Sequence, residues 1–323
     1  MTDFARPAIV ISKCLGFAAC RWNGVSLPDE FVNRLQPYVD FTPVCAEVEI
    51  GLGVPRDPIR IVSQDGALTL VQPATGKDFT GAMRRFCEGY LSSVGAVDGF
   101  VLKSRSPSCG IKDVKVYPGA GKVAADSKTA GFFGGAVLRL FPDLPVEDEG
   151  RLTNFKIREH FLTRIFALAR LRVVIASGAM RELVAFQAAQ KLTLMAYNQT
   201  EMRILGRIVA NHEKRRFADV AADYETHFRR ALAKPARVSS NINVLMHALG
   251  YFSDELNARE KAYFLDSLEK YRSERIPVSA ITSVLRAWIA RFESDYLMGQ
   301  TFFDPYPEEL VEVTDSGKGR EWG

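Results

Sequence analysis

The chain has 323 residues, of which 47% are hydrophobic and 25% are charged, a balance typical of a globular protein with room for two domains. No apolar run approaches the roughly 20 residues of a membrane-spanning helix, which excludes such a span and predicts no membrane partner. The net charge of +4 conceals a basic segment, residues 151–240, with 17 Lys and Arg against 7 Asp and Glu.

The N-terminal stretch MTDFARPAIVISKC has Asp3 before a short apolar run and lacks a basic region with a cleavage site. It predicts a first β-strand rather than a signal peptide, so we expect a cytoplasmic protein with reduced thiols. After this strand, helix and strand patterns alternate through the first half. They predict strands at 8–12, 39–45, 99–104 and in VKVYPG, a hairpin over 59–72 around Asp65-Gly66, and helices near 28–38, over 78–94 and after Gly134-Gly135.

This alternation predicts an α/β fold for residues 1–150, a layered, Rossmann-like domain with a mainly parallel sheet. Residues 141–152 are rich in proline, glycine and acidic residues and mark the expected domain boundary. Beyond it the apolar period becomes 3.6, which predicts an all-α domain over 151–312 and a flexible polar tail over 313–323. Helices are predicted at 200–211, 217–233, 240–252, 254–272 and 277–293.

Five cysteines lie in about the first third of the chain, an odd number too small for a disulfide framework. Cys14, Cys45 and Cys109 each follow a strand-like run, so we expect them in loops that meet at the carboxyl ends of parallel strands. Cys87 is expected to pack inside a helix instead. Cys20 could pack under the first loop or lie near the site, and we favour packing.

Three converging thiolates leave several possibilities open. Structural zinc needs four protein ligands, and all four histidines lie in the second half of the chain. A 4Fe–4S cluster on three cysteines keeps one iron without a protein ligand, as a catalytic cluster requires. On spacing alone, the alternative is that the three thiols are unrelated and do not lie close together in the fold.

Three motifs add a resemblance: SKCLGFAACRWNG (12–24), PVCAEVEIGLGVPRDPI (43–59) and LKSRSPSCG (102–110). Together they resemble the thiouracil desulfidase family, whose members hold a 4Fe–4S cluster on three cysteines. The second half resembles the helical domain fused to this desulfidase in many bacteria, in the segments 158–170, 191–198, 205–210, 243–252 and 305–310. The two-domain form is similar to the tRNA 4-thiouridine desulfidases.

The resemblance implies that Cys14, Cys45 and Cys109 are the cluster ligands, Glu47 the catalytic carboxylate and Ser106 the catalytic serine. One departure is Ala46, where the family usually has proline. The implied reaction is hydrolytic and non-redox removal of sulfur from 4-thiouridine in tRNA. The alternatives are a desulfidase of free thiouracil bases, with the helical domain as a scaffold, and an iron–sulfur RNA-binding regulator without turnover.

Other side chains near the motifs are weaker candidates for the site. Glu49 shares a strand face with Glu47 if the stretch is extended, although we favour a charge at a loop edge. Arg56, Lys103 and Arg105 could meet an anionic ligand, although Lys103 and Arg105 could instead compensate the charge of a thiolate-bound cluster. Ser108 is expected to bond to the loop backbone.

The basic segment predicts contacts with RNA phosphates, although an exposed helix surface has the same composition. Candidate contacts are Arg164, Arg170, Lys191, Arg203, Arg207, Lys214, Arg215 and Arg216.

Overall fold

The computed structural model describes residues 4–64, 66–121 and 123–311. Within them, residues 4–169 and 306–311 form one compact unit and residues 170–305 form a second. In this part of the chain, no helix combines the length and apolar character required to cross a membrane. Asp65 of the predicted hairpin and the predicted flexible tail, 313–323, lie outside the described residues.

The first unit contains both strands and helices, which confirms the predicted α/β class. Its elements, in chain order, are β1 (Ala8–Ser12), α1 (Glu30–Leu35), the 3-10 helix Gln36–Tyr38, β2 (Asp40–Val44), α2 (Ala46–Glu49), β3 (Arg60–Gln64), β4 (Ala67–Gln72), β5 (Lys77–Asp78), α3 (Thr80–Ser93), β6 (Gly99–Leu102), β7 (Val114–Tyr117), β8 (Ser127–Thr129), α4 (Phe132–Leu140), β9 (Val146–Asp148), the first part of α5 (Phe155–Ala176) and the 3-10 helix Glu308–Leu310.

A four-stranded parallel sheet in the order β2-β1-β6-β9 carries the core of this unit. The run Ile9–Ile11 of β1 is almost wholly buried because both faces of the sheet are covered, as the continuous apolar pattern predicts. Ser12 of β1 is level with Val44 of β2, and Ile11 is level with Val101 of β6. The three strands therefore end side by side, and their loops share one edge.

A second sheet, in the order β5-β4-β3-β7-β8, is mixed. The predicted hairpin is confirmed, with Gln64 of β3 opposite Ala67 of β4 in antiparallel register. The pairing of β3 with β7 is parallel and joins segments about fifty residues apart, from Ile61 to Val116. The alternation of the individual strands did not predict this long-range pairing.

The acidic stretch expected as a domain boundary contains β9, which pairs with β6. Its charges are compensated: Glu147 forms an ion pair with Arg151 at 2.6 Å, and Asp148 accepts a hydrogen bond from the Arg151 backbone N–H. The compact unit continues beyond residue 150 because Phe161 and Ile165 of α5 pack in the same core as β1 and β6.

The second unit consists of helices, as the 3.6-residue period predicts. They are the end of α5, α6 (Met180–Ala189), α7 (Lys191–Tyr197), α8 (Gln199–Ala210), α9 (Phe217–Ala231), α10 (Val238–Gly250), α11 (Ala258–Arg272), α12 (Val278–Phe292) and α13 (Asp295–Met298). The start of α11 lies later than predicted because the Asn257 side chain caps the backbone N–H groups of Arg259 and Glu260.

Helix α4 holds the loop 106–110 through close backbone contacts. It begins at Phe132, ahead of the predicted start, and contains Gly134 and Gly135. The Phe133 and Gly134 N–H groups donate to the Ser108 carbonyl at 2.9 and 3.0 Å. A Cβ at Gly134 would lie only 2.4 Å from the Gly110 carbonyl oxygen and 2.6 Å from that of Cys109.

We expect Gly134→Ala to destabilise the first unit, since backbone rather than a flexible side chain would have to move. The expected loss in the free energy of unfolding is about 1–3 kcal/mol, measured by urea denaturation. Gly135→Ala is the matched control, because its Cβ would meet only the Ala130 side chain at 3.4 Å. Equal stability of the two variants would contradict the prediction.

Candidate active site

A cavity of about 410 Å³ opens where β1, β2 and β6 end. Its walls come from the loops after these strands and from the stretch before β3, which supplies Arg56, Pro58 and Ile59. Parallel strands whose carboxyl ends are aligned create such a crevice, because their loops turn away from the sheet at the same edge. The strand topology therefore explains where the cavity lies.

Cys14, Cys45 and Cys109 all line this cavity, so the predicted convergence of their loops is confirmed. Burial, and then the neighbouring Cys109 thiol, raise the pKa of Cys14 well above its usual range. Burial likewise raises the pKa of Cys109 to about 12. Among the described residues, no set of three His, Cys, Asp or Glu side chains is arranged to hold a single metal ion.

Cys20 is buried and also lines the cavity, so the alternative position, near the site, applies to it as well. The Cys45 thiol lies 3.9 Å from the Cys20 carbonyl oxygen, and burial, followed by the Cys45 thiol, raises the pKa of Cys20 to about 11. Tight turns between residues 13 and 25 bring Cys20 back beside β2, and spacing alone could not reveal them. Cys87, by contrast, is buried inside α3 as predicted.

Glu47 lies in the short helix α2 directly after Cys45, with 13% of its side chain exposed. One carboxylate oxygen accepts two hydrogen bonds from the Arg56 guanidinium, at 2.6 and 3.0 Å. The same guanidinium donates to the Cys20 carbonyl at 3.1 Å. Arg56 thus orients the carboxylate and is not available to bind an anionic ligand.

The helical turn at α2 also decides the position of Glu49. Period-two spacing would place it beside Glu47 in a strand, but a helix separates residues two apart. Glu49 is exposed, outside the cavity lining, and close enough to Tyr90 to help raise that group's pKa after the larger effect of burial. The preferred expectation, a charge at a loop edge, is confirmed.

The two serines of the loop have contacts opposite to those expected. Ser108, predicted to bond backbone, donates its hydroxyl to the second carboxylate oxygen of Glu47 at 2.6 Å. Ser106 accepts from the Cys109 N–H at 3.1 Å and lies 2.9 Å from the Ser108 hydroxyl. Both serines line the cavity, and together with Glu47 they form a hydrogen-bonded chain.

Lys103 forms an ion pair with Glu149, whose carboxylate also accepts from the Ser104 hydroxyl at 2.6 Å and N–H at 2.9 Å. Sequence reasoning did not single out Glu149, because its acidic stretch was interpreted as a domain boundary. Arg105 is exposed at the cavity lining with a left-handed φ of 58°.

Trp22, which sequence reasoning did not single out, also lines the cavity, and 44% of it is exposed. Its carbonyl accepts from the Arg56 N–H at 2.7 Å, which ties the indole-bearing turn to the residue that orients Glu47. An aromatic residue in the motif CRWNG was the signal that could have identified it.

Comparison with known proteins assigns the part of the chain that forms the cavity to a protein family. Residues 9–149 match the family model described as 2-thiouracil desulfurase. The chain belongs to this family. It is therefore an enzyme of the desulfidase type. Residues 191–307 match a second model, a protein family of unknown function designated DUF1722.

Two curated relatives are similar to this chain. The uncharacterized protein YbgA of Escherichia coli (strain K12) is 30% identical over 158 residues, which are 48% of this chain and 93% of YbgA. The uncharacterized protein YbbK of Bacillus subtilis (strain 168) is 30% identical over 141 residues, 38% of this chain and 91% of YbbK. A solved structure of the 4Fe–4S-dependent thiouracil desulfidase TudS is 27% identical and covers 46% of this chain and 93% of its own, with a TM-score of 0.36.

Outside the desulfurase region, the predicted RNA contacts differ in their surroundings. Four are exposed and make no ion pair within the described residues: Lys191, Arg203, Arg207 and Lys214. Arg215 and Arg216 are paired, at 2.5 Å with Asp223 and 3.0 Å with Asp219. Arg170 donates to the Asp304 and Pro305 carbonyls, and burial lowers its pKa to about 10, so it does not present a free surface charge.

Proposed function

We propose that this chain removes the sulfur of 4-thiouridine in tRNA by hydrolysis, releasing sulfide and leaving uridine. The observation that carries the proposal is the convergence of Cys14, Cys45 and Cys109 on one cavity beside the oriented Glu47 carboxylate. The proposal places the enzyme in the cytoplasm, where reducing conditions keep these thiols from pairing.

The donor set of the cavity fits a 4Fe–4S cluster. Thiolates are the ligands that iron–sulfur clusters require, and no histidine lines the cavity. In our proposal Cys14, Cys45 and Cys109 hold the cluster, and one iron has no protein ligand. When bound, the cluster supplies a thiophilic iron that polarises the thiocarbonyl sulfur of the substrate.

The remaining steps belong to side chains of the chain itself. Glu47 accepts a proton from a water molecule, whose oxygen then bonds to the thiocarbonyl carbon. The carbon–sulfur bond breaks with its electron pair, and the departing sulfur takes up the protons of the water as hydrogen sulfide. One water is consumed, a carbonyl replaces the thiocarbonyl, and no electron is gained or lost.

The neighbours of Glu47 keep its carboxylate in position for this proton transfer. Arg56 holds one oxygen, and Ser108 donates to the other. Ser106 can donate to Ser108 in turn, so both hydroxyls belong to the hydrogen-bonded chain that ends at the Glu47 carboxylate. In this proposal Ser106 either forms a hydrogen bond with the substrate or supports the Ser108 hydroxyl that contacts Glu47.

Serine substitution of the cysteines tests the ligand set. We expect Cys14→Ser, Cys45→Ser and Cys109→Ser each to lose most of the iron and sulfide, about four of each per chain in an intact cluster. Iron analysis and visible absorption after anaerobic purification measure the loss. Cys87→Ala, which removes a buried thiol away from the cavity, is the control. Cys20→Ser should keep the cluster, and its loss of iron would contradict a three-cysteine set.

Glu47→Gln tests the proton transfer, because the amide keeps the size of the side chain but cannot act as a base. We expect the turnover number to fall by about 100-fold to 10,000-fold, with iron content unchanged. Ser108→Ala should show a smaller fall, since it removes only one hydrogen bond to the carboxylate. Wild-type turnover by cluster-loaded Glu47→Gln would refute the assigned role.

The tRNA substrate is supported by the basic surface of the helical part. Arg203 and Arg207 lie four residues apart on the exposed side of α8, and Lys214 follows in the next loop. Exposed cations without ion-pair partners are available for phosphates, which supply most of the affinity for nucleic acids. A base within folded tRNA would also have to be extruded to reach the cavity.

A free thiolated base is the second candidate substrate. The family description names 2-thiouracil, and a cavity of about 410 Å³ has room for a single base. The third alternative, a regulator without turnover, is disfavoured because the chain belongs to a family of enzymes.

Charge reversal distinguishes the two substrates. The triple variant Arg203→Glu, Arg207→Glu and Lys214→Glu should weaken tRNA binding by about tenfold or more at moderate salt. Its turnover of free 2-thiouracil should equal that of the wild type. Filter binding and sulfide release measure the two effects.

The matched control reverses three exposed arginines of α11 and the loop that follows it, Arg259, Arg272 and Arg275. If both triple variants desulfurate thiolated tRNA as well as the wild type does, the basic surface of α8 does not bind the substrate.

A further inference from the structure

The cavity contains one aromatic surface, the indole of Trp22. Among the described residues that line the cavity, Trp22 is the only one with an aromatic ring, and the others are charged, polar, thiol-bearing or aliphatic. A pyrimidine base is planar and presents two broad faces, which aromatic side chains bind by stacking. An indole also needs only two torsion angles to be fixed, so it is ordered at a lower entropic cost than the arginines of the lining.

The fold does not use this indole. Trp22 is 44% exposed, and within the part of the chain that the structure describes its side chain takes part in no ring pair and no hydrogen bond. Trp288 shows the contrast, since it is 8% exposed and packs against the rings of Phe252 and Phe264. An apolar ring that the core leaves uncovered at a cavity is stabilised when a ligand covers it.

The backbone that carries the indole is held in place. Gly24 has a left-handed φ of 74°, and its N–H donates to the Arg21 carbonyl at 2.9 Å, which closes a tight turn around Trp22. The Trp22 carbonyl accepts from the Arg56 N–H at 2.7 Å, and the Arg56 guanidinium holds the Glu47 carboxylate. One arginine therefore connects the indole-bearing turn to the proposed general base.

We infer that Trp22 determines substrate specificity by stacking on the ring of the thiolated base. The residue would select planar, aromatic thiocarbonyl compounds over non-planar ones, and it takes no part in making or breaking bonds. The inference rests on the proposed function of the cavity as the desulfidase site. It applies equally to a free base and to a base extruded from RNA.

Stacking is compatible with the chemistry proposed for the cavity. It covers a face of the base, so the ring edge that bears oxygen, nitrogen and sulfur stays free for the thiol-lined region and for Glu47. The lining supplies both kinds of surface, an aromatic ring at Trp22 and polar groups such as Ser106.

Trp22→Ala in the cluster-loaded enzyme tests the inference. We expect KM for 2-thiouracil to rise about fivefold to 100-fold, the effect of removing one stacked base, with the turnover number unchanged. The turnover number should hold because the bond from Arg56 reaches the Trp22 backbone carbonyl, which alanine keeps. Trp22→Tyr should restore a KM close to that of the wild type, since stacking needs an aromatic face.

Val25→Ala is the matched control. Val25 lies in the same turn and is 40% exposed, but it does not line the cavity. Its KM should equal that of the wild type. Iron analysis of each variant verifies that the cluster is retained.

Binding without turnover gives a second readout. Equilibrium dialysis of 2-thiouracil against cluster-loaded Glu47→Gln, with and without Trp22→Ala, measures Kd directly. We expect Trp22→Ala to weaken binding of 2-thiouracil about fivefold to 100-fold. Binding of 5,6-dihydro-2-thiouracil should weaken less, because its saturated ring keeps the polar groups but is neither aromatic nor planar.

The outcomes separate the inference from the function on which it rests. If the wild type desulfurates 2-thiouracil or thiolated tRNA and Trp22→Ala matches Val25→Ala in KM and Kd, the specificity inference fails and the proposed function stands. If Trp22→Ala loses iron, or weakens both ring compounds equally, its role is structural and the inference also fails. If the wild type desulfurates neither substrate, the proposed function fails, and the dialysis still decides whether Trp22 binds the base.

Discussion

The parallel register of β1, β2 and β6 is the constraint on which the rest of the site depends. Because Ser12, Val44 and Leu102 end these strands at one edge of the sheet, the loops that follow them must share the same space. Thiols separated by 31 and 64 residues in the chain thus surround one cavity. Helix α4 then clamps the third loop by donating its first N–H groups to the loop carbonyls.

Charge compensation around the cavity follows a common pattern. Two half-buried charges of the lining have partners from other segments: Arg56 pairs with Glu47, and Glu149 pairs with Lys103. Leaving any of these charges unpaired in such a place would be costly, so each partner also fixes the geometry of its loop. In the proposed reaction Glu47 is the group for which this matters most, since a general base must be held within reach of the proton that it accepts.

Several features could be read from the sequence because they depend on local patterns. The buried strands, the hairpin, the helical second half and the strand-end positions of Cys14, Cys45 and Cys109 follow from apolar periodicity. Contacts between distant segments could not be read in this way. The stretch 141–152, expected as a domain boundary, contains β9, which its acidic composition concealed and whose charges are neutralised by Arg151.

The sequence by itself determined the α/β class of the first half, the helical class of the second and, through its motifs, the desulfidase family. Only the tertiary structure decided that Cys20 lines the same cavity as the other thiols and that Ser108 rather than Ser106 contacts Glu47. The reason is physical: periodicity records which face of an element is buried. The partner of a side chain in a loop depends on where the backbone of other segments passes.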